Sequence, residues 1–304
     1  MTRSQHVGMV GLGNMGGRIA RRIAGGGFSI SGFDVDPQAA GRAEIEVEDS
    51  LAALAARADV LFLSLPDSSV IEKVVYGDDG LESAVRAGHT VVDLSTADPA
   101  SSVRIHGDLA AQGAEFIDAG ISGGASAAER GSLAIMAGGS ADALAAIGAI
   151  LASFAANVYH MGSPGSGHTT KLLNNFLNAI SLAATAEAMV AGRAAGLDLA
   201  KLLDVLNHSS GVNFATQNRF PKIIEGDYLE GGLTNELMAK DVRLYLGLLR
   251  QLGVTSFAGP SCLGAFDMAT ALGYGKQISN RVVDAIGDAA GGVRLQDFER
   301  GGSR

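Results

Sequence analysis

HVGMVGLGNMGGRIARRIA, residues 6–24, decides how this chain is read. An apolar strand over residues 6–10 runs straight into Gly11-Leu12-Gly13-Asn14-Met15-Gly16, and a helical pattern follows to about Ala24. In a strand–turn–helix of this kind Gly11 allows the tight turn, Gly13 lets backbone approach a pyrophosphate, and Gly16 lets the helix pack close to the strand. The helix N-terminus then offers N–H groups and a favourable dipole to phosphate. The chain has 42 glycines, so such a turn also arises by chance and its surroundings must support it.

They do. A second strand over residues 29–33 ends at Asp34, 18 residues beyond Gly16. A carboxylate there accepts hydrogen bonds from an adenosine ribose 2′-OH and repels a 2′-phosphate. The competing role is to cap the helix after Pro37, which Asp36 fills equally well. Alternation continues with helix 50–57, strand 60–65, helix 69–75, strand 90–94, helix 99–112 and strand 115–118. Strand 132–136, helix 141–154 and strand 157–160 complete it. This pattern predicts an α/β fold with a parallel, doubly wound sheet, whose ligands lie beyond the carboxyl ends of the strands. The loops at those ends are Leu65-Pro66-Asp67, Ser95-Thr96 and residues 118–124, DAGISGG. The last suits a carboxylate through its backbone N–H groups, or is a plain glycine-rich turn.

Glycine and proline in residues 161–167 mark a boundary, giving a dinucleotide-binding domain over 1–163 and a second domain over 164–304. The second opens on GSGHTTKLLNNFLNAISLAATAEAMVAGRAAGL, residues 165–197, which predicts one long helix at about 166–196. It is apolar on nearly all sides and should be packed almost all round. Lys171, Asn175 and Asn178 lie at i, i+4 and i+7 and share a face. Polar groups in such a helix need partners; otherwise Lys171 sits in a solvated first turn and the asparagines cross-link helices. Beyond it, residues 199–207, 221–225, 237–252, 261–272 and 281–290 suit helices, so this domain is read as all-α, with 291–304 a polar, fraying tail.

Composition narrows the function. A net charge of −9 argues against nucleic-acid and anionic-membrane surfaces, which need clustered Lys and Arg. The single cysteine, Cys262, excludes an internal disulfide framework and fits a reducing compartment. Asn174, Asn175, Asn178 and Glu187 would be costly in lipid. A strand begins within a few residues of Met1, so the expectation is a soluble, cytoplasmic protein. The six histidines are dispersed and no metal is expected.

Six blocks now stand in one order: VGLGNMG (10–16), LP (65–66), DLST (93–96), DAGISGG (118–124), GSGHTTKLLNN (165–175) and KD (240–241). In them the chain resembles the β-hydroxyacid dehydrogenase family over residues 5–290. The resemblance implies a Rossmann-type domain in which Gly11, Leu12, Gly13, Asn14, Met15, Gly16, Asp34, Leu65, Pro66, Thr96 and Lys240 contact a nicotinamide cofactor. It implies that Ser122, Gly123 and Gly124, with Asn174, serve the substrate and its carboxylate. It makes Lys171 the catalytic acid/base with Asn175 beside it, and the assembly a homodimer or homotetramer joined through the α domains. The implied reaction is hydride transfer between NAD and a small β-hydroxy acid of the 3-hydroxyisobutyrate kind, or its semialdehyde in reverse. Such a lysine, with an ordinary pKa near ~10.4, needs burial and nearby positive charge to act as a base.

Val35 follows Asp34 where NADP-using relatives tend to show Asn-Arg, so NAD is expected over NADP. The alternatives are an NADP-dependent semialdehyde or tartronate semialdehyde reductase, and a non-catalytic cofactor-binding protein on the same fold. The latter should have lost Lys171 or the Ser122 loop. Decarboxylating 6-phosphogluconate dehydrogenases carry histidine and glutamate where Asn174 and Asn178 stand, and imine reductases usually lack the lysine. Three positions depart from the family pattern: Gly120 replaces a common proline, Val212 a common arginine, and Leu233 a common phenylalanine. Gly120 should leave the carboxylate loop less rigid. With Arg219 and Lys222 read as solvated, the substrate's far end is expected to be uncharged.

Overall fold

In the computed structural model residues 5–296 are described. They divide into two compact units, one ending at Lys171 and the other beginning at Leu172.

The first unit is built on a sheet whose described strands are β1 (His6–Val10), β2 (Ser29–Phe33), β3 (Glu46–Val47), β4 (Val60–Leu63), β5 (Thr90–Asp93), β6 (Glu115–Ser122), β7 (Leu133–Gly138) and β8 (Ala155–Gly162), in the order β3-β2-β1-β4-β5-β6-β7-β8. Helices cover both faces, so the central strands are apolar on both. Phe62 packs with Ile19, Ile23 and Phe154 on one face. Its neighbours Leu61 and Leu63 pack with Ile71, Val75 and Ile105 on the other. Fully burying each such side chain contributes about 1.5–3 kcal/mol.

Three features of this unit differ from the sequence expectation. β6 continues to Ser122, so Asp118–Ser122 is strand rather than loop, and it pairs antiparallel with β7. The connection from Gly123 to Ser132 is too short for the dozen or so residues of a parallel crossover. The segment read as one helix over 141–154 is two short ones, Ala141–Ala146 and Gly148–Leu151. The edge strand Glu46–Val47 was not expected, since both residues are exposed and carry no apolar pattern.

The long helix runs Ser166–Ala194. In the second unit its Ala179, Leu182, Ala183, Ala186 and Met189 pack with Leu203, Phe220, Phe266 and Val282 in an all-helical core. Nearer its start Phe176 stacks on Tyr245, with ring centroids 4.1 Å apart. The helix is not packed all round: Leu173 and Leu177 are exposed in the single chain. A short helix, Phe214–Asn218, held by a capping box between Asn213 and Thr216, was also not expected. No described helix is long and apolar enough to cross a membrane. The tail read over 291–304 lies outside the described residues from 297 onward.

Candidate active site

The turn after β1 separates two uses of glycine. A Cβ on Gly16 would stand 1.9 Å from the Gly11 carbonyl oxygen, so the turn closes only around glycine. A Cβ on Gly13 would meet nothing within 4 Å. The protein's own packing leaves Gly13 room for a side chain; an approaching phosphate does not, so the bare backbone fits a dinucleotide. No side chain caps the helix that follows, Gly16–Gly25. Asp34 ties the end of β2 to this turn: Oδ2 accepts from the Leu12 N–H at 2.6 Å and Oδ1 from the Asp36 N–H at 2.8 Å. Asp36 caps the helix Pro37–Arg42 through the Gln38 N–H, so the capping role falls to it and not to Asp34. Past β4 and β5, the Leu65 N–H donates to the buried Ser95 Oγ at 2.9 Å, joining the loops that carry Pro66 and Thr96. β1, β2, β4 and β5 are parallel, so these residues share the carboxyl edge of the sheet. A cavity of about 760 Å³ beside the turn is lined by Gly13, Asn14, Arg18, Arg21 and Arg42, among others.

Farther along the sheet, β6 receives the start of the long helix. Asp118, Gly120 and Ser122 alternate onto one face of the strand. The Asp118 carboxylate accepts the N–H groups of Gly165 and His168, each at 2.7 Å, fixing the chain where the helix begins. The buried His168 ring pairs Nδ1 with Ser102 Oγ at 2.7 Å and places Nε2 3.9 Å from Asp93 Oδ2. Burial holds the Asp93 carboxyl above the usual carboxylate range. One turn later comes Lys171, only 9% exposed, so it is not a solvated first-turn residue. A Cβ on Gly120 would stand 2.5 Å from Lys171 Cβ and 2.8 Å from its Cγ. Gly120 is thus a strand residue whose missing side chain makes room for the lysine stem, where the sequence suggested only a looser loop. Ser122 follows on the same face. Gly123 and Gly124, with φ of 127° and 68°, then turn the backbone into the helix Gly124–Arg130.

In the second unit Asn175 is buried, and its Nδ2 donates to Asp241 Oδ2 at 2.6 Å. Lys240 Nζ lies 3.0 Å from the other oxygen, Asp241 Oδ1. Asn174 is exposed and donates to Asn175 Oδ1 at 3.3 Å, which orients the buried amide. One residue along the helix from Asn175, it does not share that residue's face. Leu233 packs against the helical core and Val212 is 42% exposed. Arg219 is not the solvated residue expected. It is half-buried, with Nη1 donating to Asn280 Oδ1 at 3.0 Å and Nη2 to Asn178 Oδ1 at 2.9 Å.

Comparison with known proteins places this geometry. Residues 6–162 match the model of the NAD-binding domain of 6-phosphogluconate dehydrogenase, and residues 165–286 match that described as NAD-binding of NADP-dependent 3-hydroxyisobutyrate dehydrogenase. The chain belongs to the β-hydroxyacid dehydrogenase family. It is 37% identical over 285 residues to human mitochondrial 3-hydroxyisobutyrate dehydrogenase, covering 89% of this chain and 83% of that one. It is 31% identical over 288 residues to the 2-(hydroxymethyl)glutarate dehydrogenase of Eubacterium barkeri, covering 93% and 95%. Among solved structures, the Mycobacterium tuberculosis 3-hydroxyisobutyrate dehydrogenase with L-serine superposes with a TM-score of 0.85 at 27% identity, covering 93% of this chain and 99% of that one. This protein is accordingly an NAD(P)-dependent hydroxyacid dehydrogenase.

Sequence reasoning passed over three residues of this dehydrogenase. Asp241 stood in the quoted KD block with no role, and its carboxylate proves to join Lys240 to Asn175. His168 was one of six scattered histidines, and only the fold brings it to Ser102 and Asp93. Arg219 was assigned to solvent because a short amphipathic turn gives no sign of the asparagines that enclose it.

Proposed function

We propose that this enzyme oxidises a β-hydroxy acid built like 3-hydroxyisobutyrate, with NAD as the partner. The observation that carries the reading is the buried Lys171, held against Gly120 with Ser122 following on the same strand face. The cofactor, when bound, accepts the hydride; Gly11 to Gly16, Asp34, Leu65, Pro66, Thr96 and Lys240 would hold it. Ser122 and the backbone of Gly123 and Gly124 bind the substrate carboxylate. Lys171 takes the proton from the substrate hydroxyl, and Asn175, oriented by Asn174 and Asp241, holds the hydroxyl oxygen. Proton transfer of this kind contributes about 10²–10⁴-fold in rate. The domain through residue 163 serves the cofactor, and that from 164 onward serves the substrate and self-association.

Asp34 favours NAD, since its carboxylate stands at the end of β2 and the neighbouring Val35, 88% exposed, brings no cation. Arg18, Arg21 and Arg42 beside Gly13 are the observation that favours NADP, though Asp34 is not among the walls of their cavity. Steady-state assays with both cofactors and 3-hydroxyisobutyrate decide between them. A higher kcat/KM with NAD is expected, and a preference for NADP would reverse the assignment. Asp34→Asn combined with Val35→Arg should move the ratio toward NADP. The exposed Leu173 and Leu177 on the long helix support a homodimer or homotetramer, read out by mass photometry. The single buried cysteine, Cys262, is in keeping with a cytoplasmic enzyme.

A further inference from the structure

Six arginines of the described residues are neutralised by the protein itself. Arg18, Arg57, Arg104, Arg243, Arg281 and Arg294 each meet a carboxylate. Arg219, half-buried as Arg18, Arg281 and Arg294 are, forms no ion pair among the described residues. Its guanidinium is met by two neutral amide oxygens and lies 5.7 Å from the centroid of the Phe214 ring. Burial alone pushes it down to about 10, with no charged neighbour to offset the effect. Taking a cation out of water without a counter-charge is costly. The amide oxygens of Asn178 and Asn280 use two of the five N–H donors of the guanidinium and leave its charge uncompensated.

We infer that Arg219, cradled by Asn178 and Asn280, binds a second carboxylate on the substrate, so that the preferred β-hydroxy acid is a dianion. This rests on the reading that Lys171 and Asn175 hold the reacting hydroxyl. The long helix sets the spacing. Asn178 shares a face with Lys171 and Asn175, and the rise from Asn175 to Asn178 is about 4.5 Å. The two anchors, Asn175 for the hydroxyl and Asn178 for the guanidinium, are therefore less than one helical turn apart on the same face. The sequence expectation of an uncharged far end depended on a solvated Arg219, and the structure removes that premise. A far carboxylate brought to Arg219 completes a charge-assisted, bidentate-capable contact. A neutral far end instead leaves the half-buried guanidinium with neutral amide partners only.

The test compares two substrates that differ in one charge. The first is 3-hydroxyisobutyrate with its methyl group extended to a carboxyethyl chain, and the second is the same compound with the far carboxylate as its methyl ester. For the unmodified enzyme kcat/KM should favour the dianion by about tenfold or more, or ~1.4 kcal/mol. Arg219→Met should bring the ratio close to one, and Arg219→Lys should keep part of it. Asn178→Asp places a carboxylate at the existing contact with Arg219 and should abolish the preference without emptying the cluster. Equal rates for the two compounds in the unmodified enzyme would overturn the inference, as would a ratio unchanged in Arg219→Met and Asn178→Asp. A second measurement needs no turnover: glutarate should raise the Tm more than monomethyl glutarate does, and only while Arg219 is present. If that difference is seen but no β-hydroxy acid is oxidised, the anion site stands and the reaction assigned to Lys171 fails. If oxidation is seen without any dependence on Arg219, the reverse holds. Sulfate that stabilises as well as glutarate would show a lone-anion site and overturn the second-carboxylate reading.

Discussion

The start of the long helix and the cluster around Arg219 treat buried charge in opposite ways. At the helix start the protein supplies its own anion: the fully buried Asp118 carboxylate accepts two backbone N–H groups and fixes the chain just ahead of Lys171. Around Arg219 it supplies only amides, and the guanidinium stays without a counter-charge among the described residues. A satisfied charge makes a rigid anchor, because removing either partner leaves the other buried and unpaired. An unsatisfied one makes a receptor, because a ligand completes it. In the reaction proposed above, the first region would hold Lys171 still and the second would select what is brought to it.

The largest expected effect is on Lys171. Lys171→Ala should lower kcat by about 10²–10⁴-fold while NADH affinity, measured by fluorescence titration, changes little. Near-normal kcat would remove the lysine from the chemistry and with it the reason for a rigid anchor. Asp118→Ala comes next. It orphans two buried N–H groups and should destabilise the fold by about 3 kcal/mol in urea titration; a silent change would mean the helix start is held by something else. Gly120→Ala should leave cofactor binding intact but cost up to about 10²-fold in kcat, the order of loss that a small misplacement of a reacting group produces. An active Gly120→Ala enzyme would show that the stem of Lys171 can move aside.

The smallest effect concerns pH. His89 is buried, and burial, with Arg86 contributing after it, lowers its imidazole below the usual 6.5. The unfolded chain therefore takes the proton first. The stability contribution is complete above about pH 6.5 and is lost as the pH falls below that value toward the lowered folded pKa. His89→Gln should flatten the acid side of the urea-midpoint profile, leaving the part due to His6, which is lowered in the same direction. A profile identical to that of the unmodified protein would mean that the fold does not lower the imidazole of His89.

The two regions also differ in how far they could be read from the chain. The turn at residues 11–16 was legible from its own spacing, since Gly16 answers to the Gly11 carbonyl five residues before it, although Gly11 also meets the distant backbone of Ser64. Asp34 stands at the end of β2 as its spacing suggested, and Asp36, two residues on, takes the capping role. Gly120 was noticed as a departure, but its purpose lies in Lys171, which the fold brings alongside. Arg219 was misread because its partners are 41 and 61 residues away, on helices whose mutual packing no local pattern specifies. Asp241 was missed for the same reason, since Asn175 lies 66 residues before it. The antiparallel pairing of β6 with β7 was legible in principle from the short connection, but the alternating pattern of strands and helices masked it.

Chemical rescue of Lys171→Ala tests the central claim most directly. The variant is assayed for oxidation of the hydroxy acid with added alkylamines of similar size and graded basicity, and with tetramethylammonium as a control that has charge but no proton to exchange. If the Lys171 amine moves the proton of the substrate hydroxyl, the small amines should restore turnover saturably, the rescued rate should follow amine basicity, and tetramethylammonium should do nothing. Equal rescue by tetramethylammonium would mean that Lys171 supplies only positive charge. Failure of every amine in a variant that still binds cofactor and substrate would contradict its assignment as the acid/base.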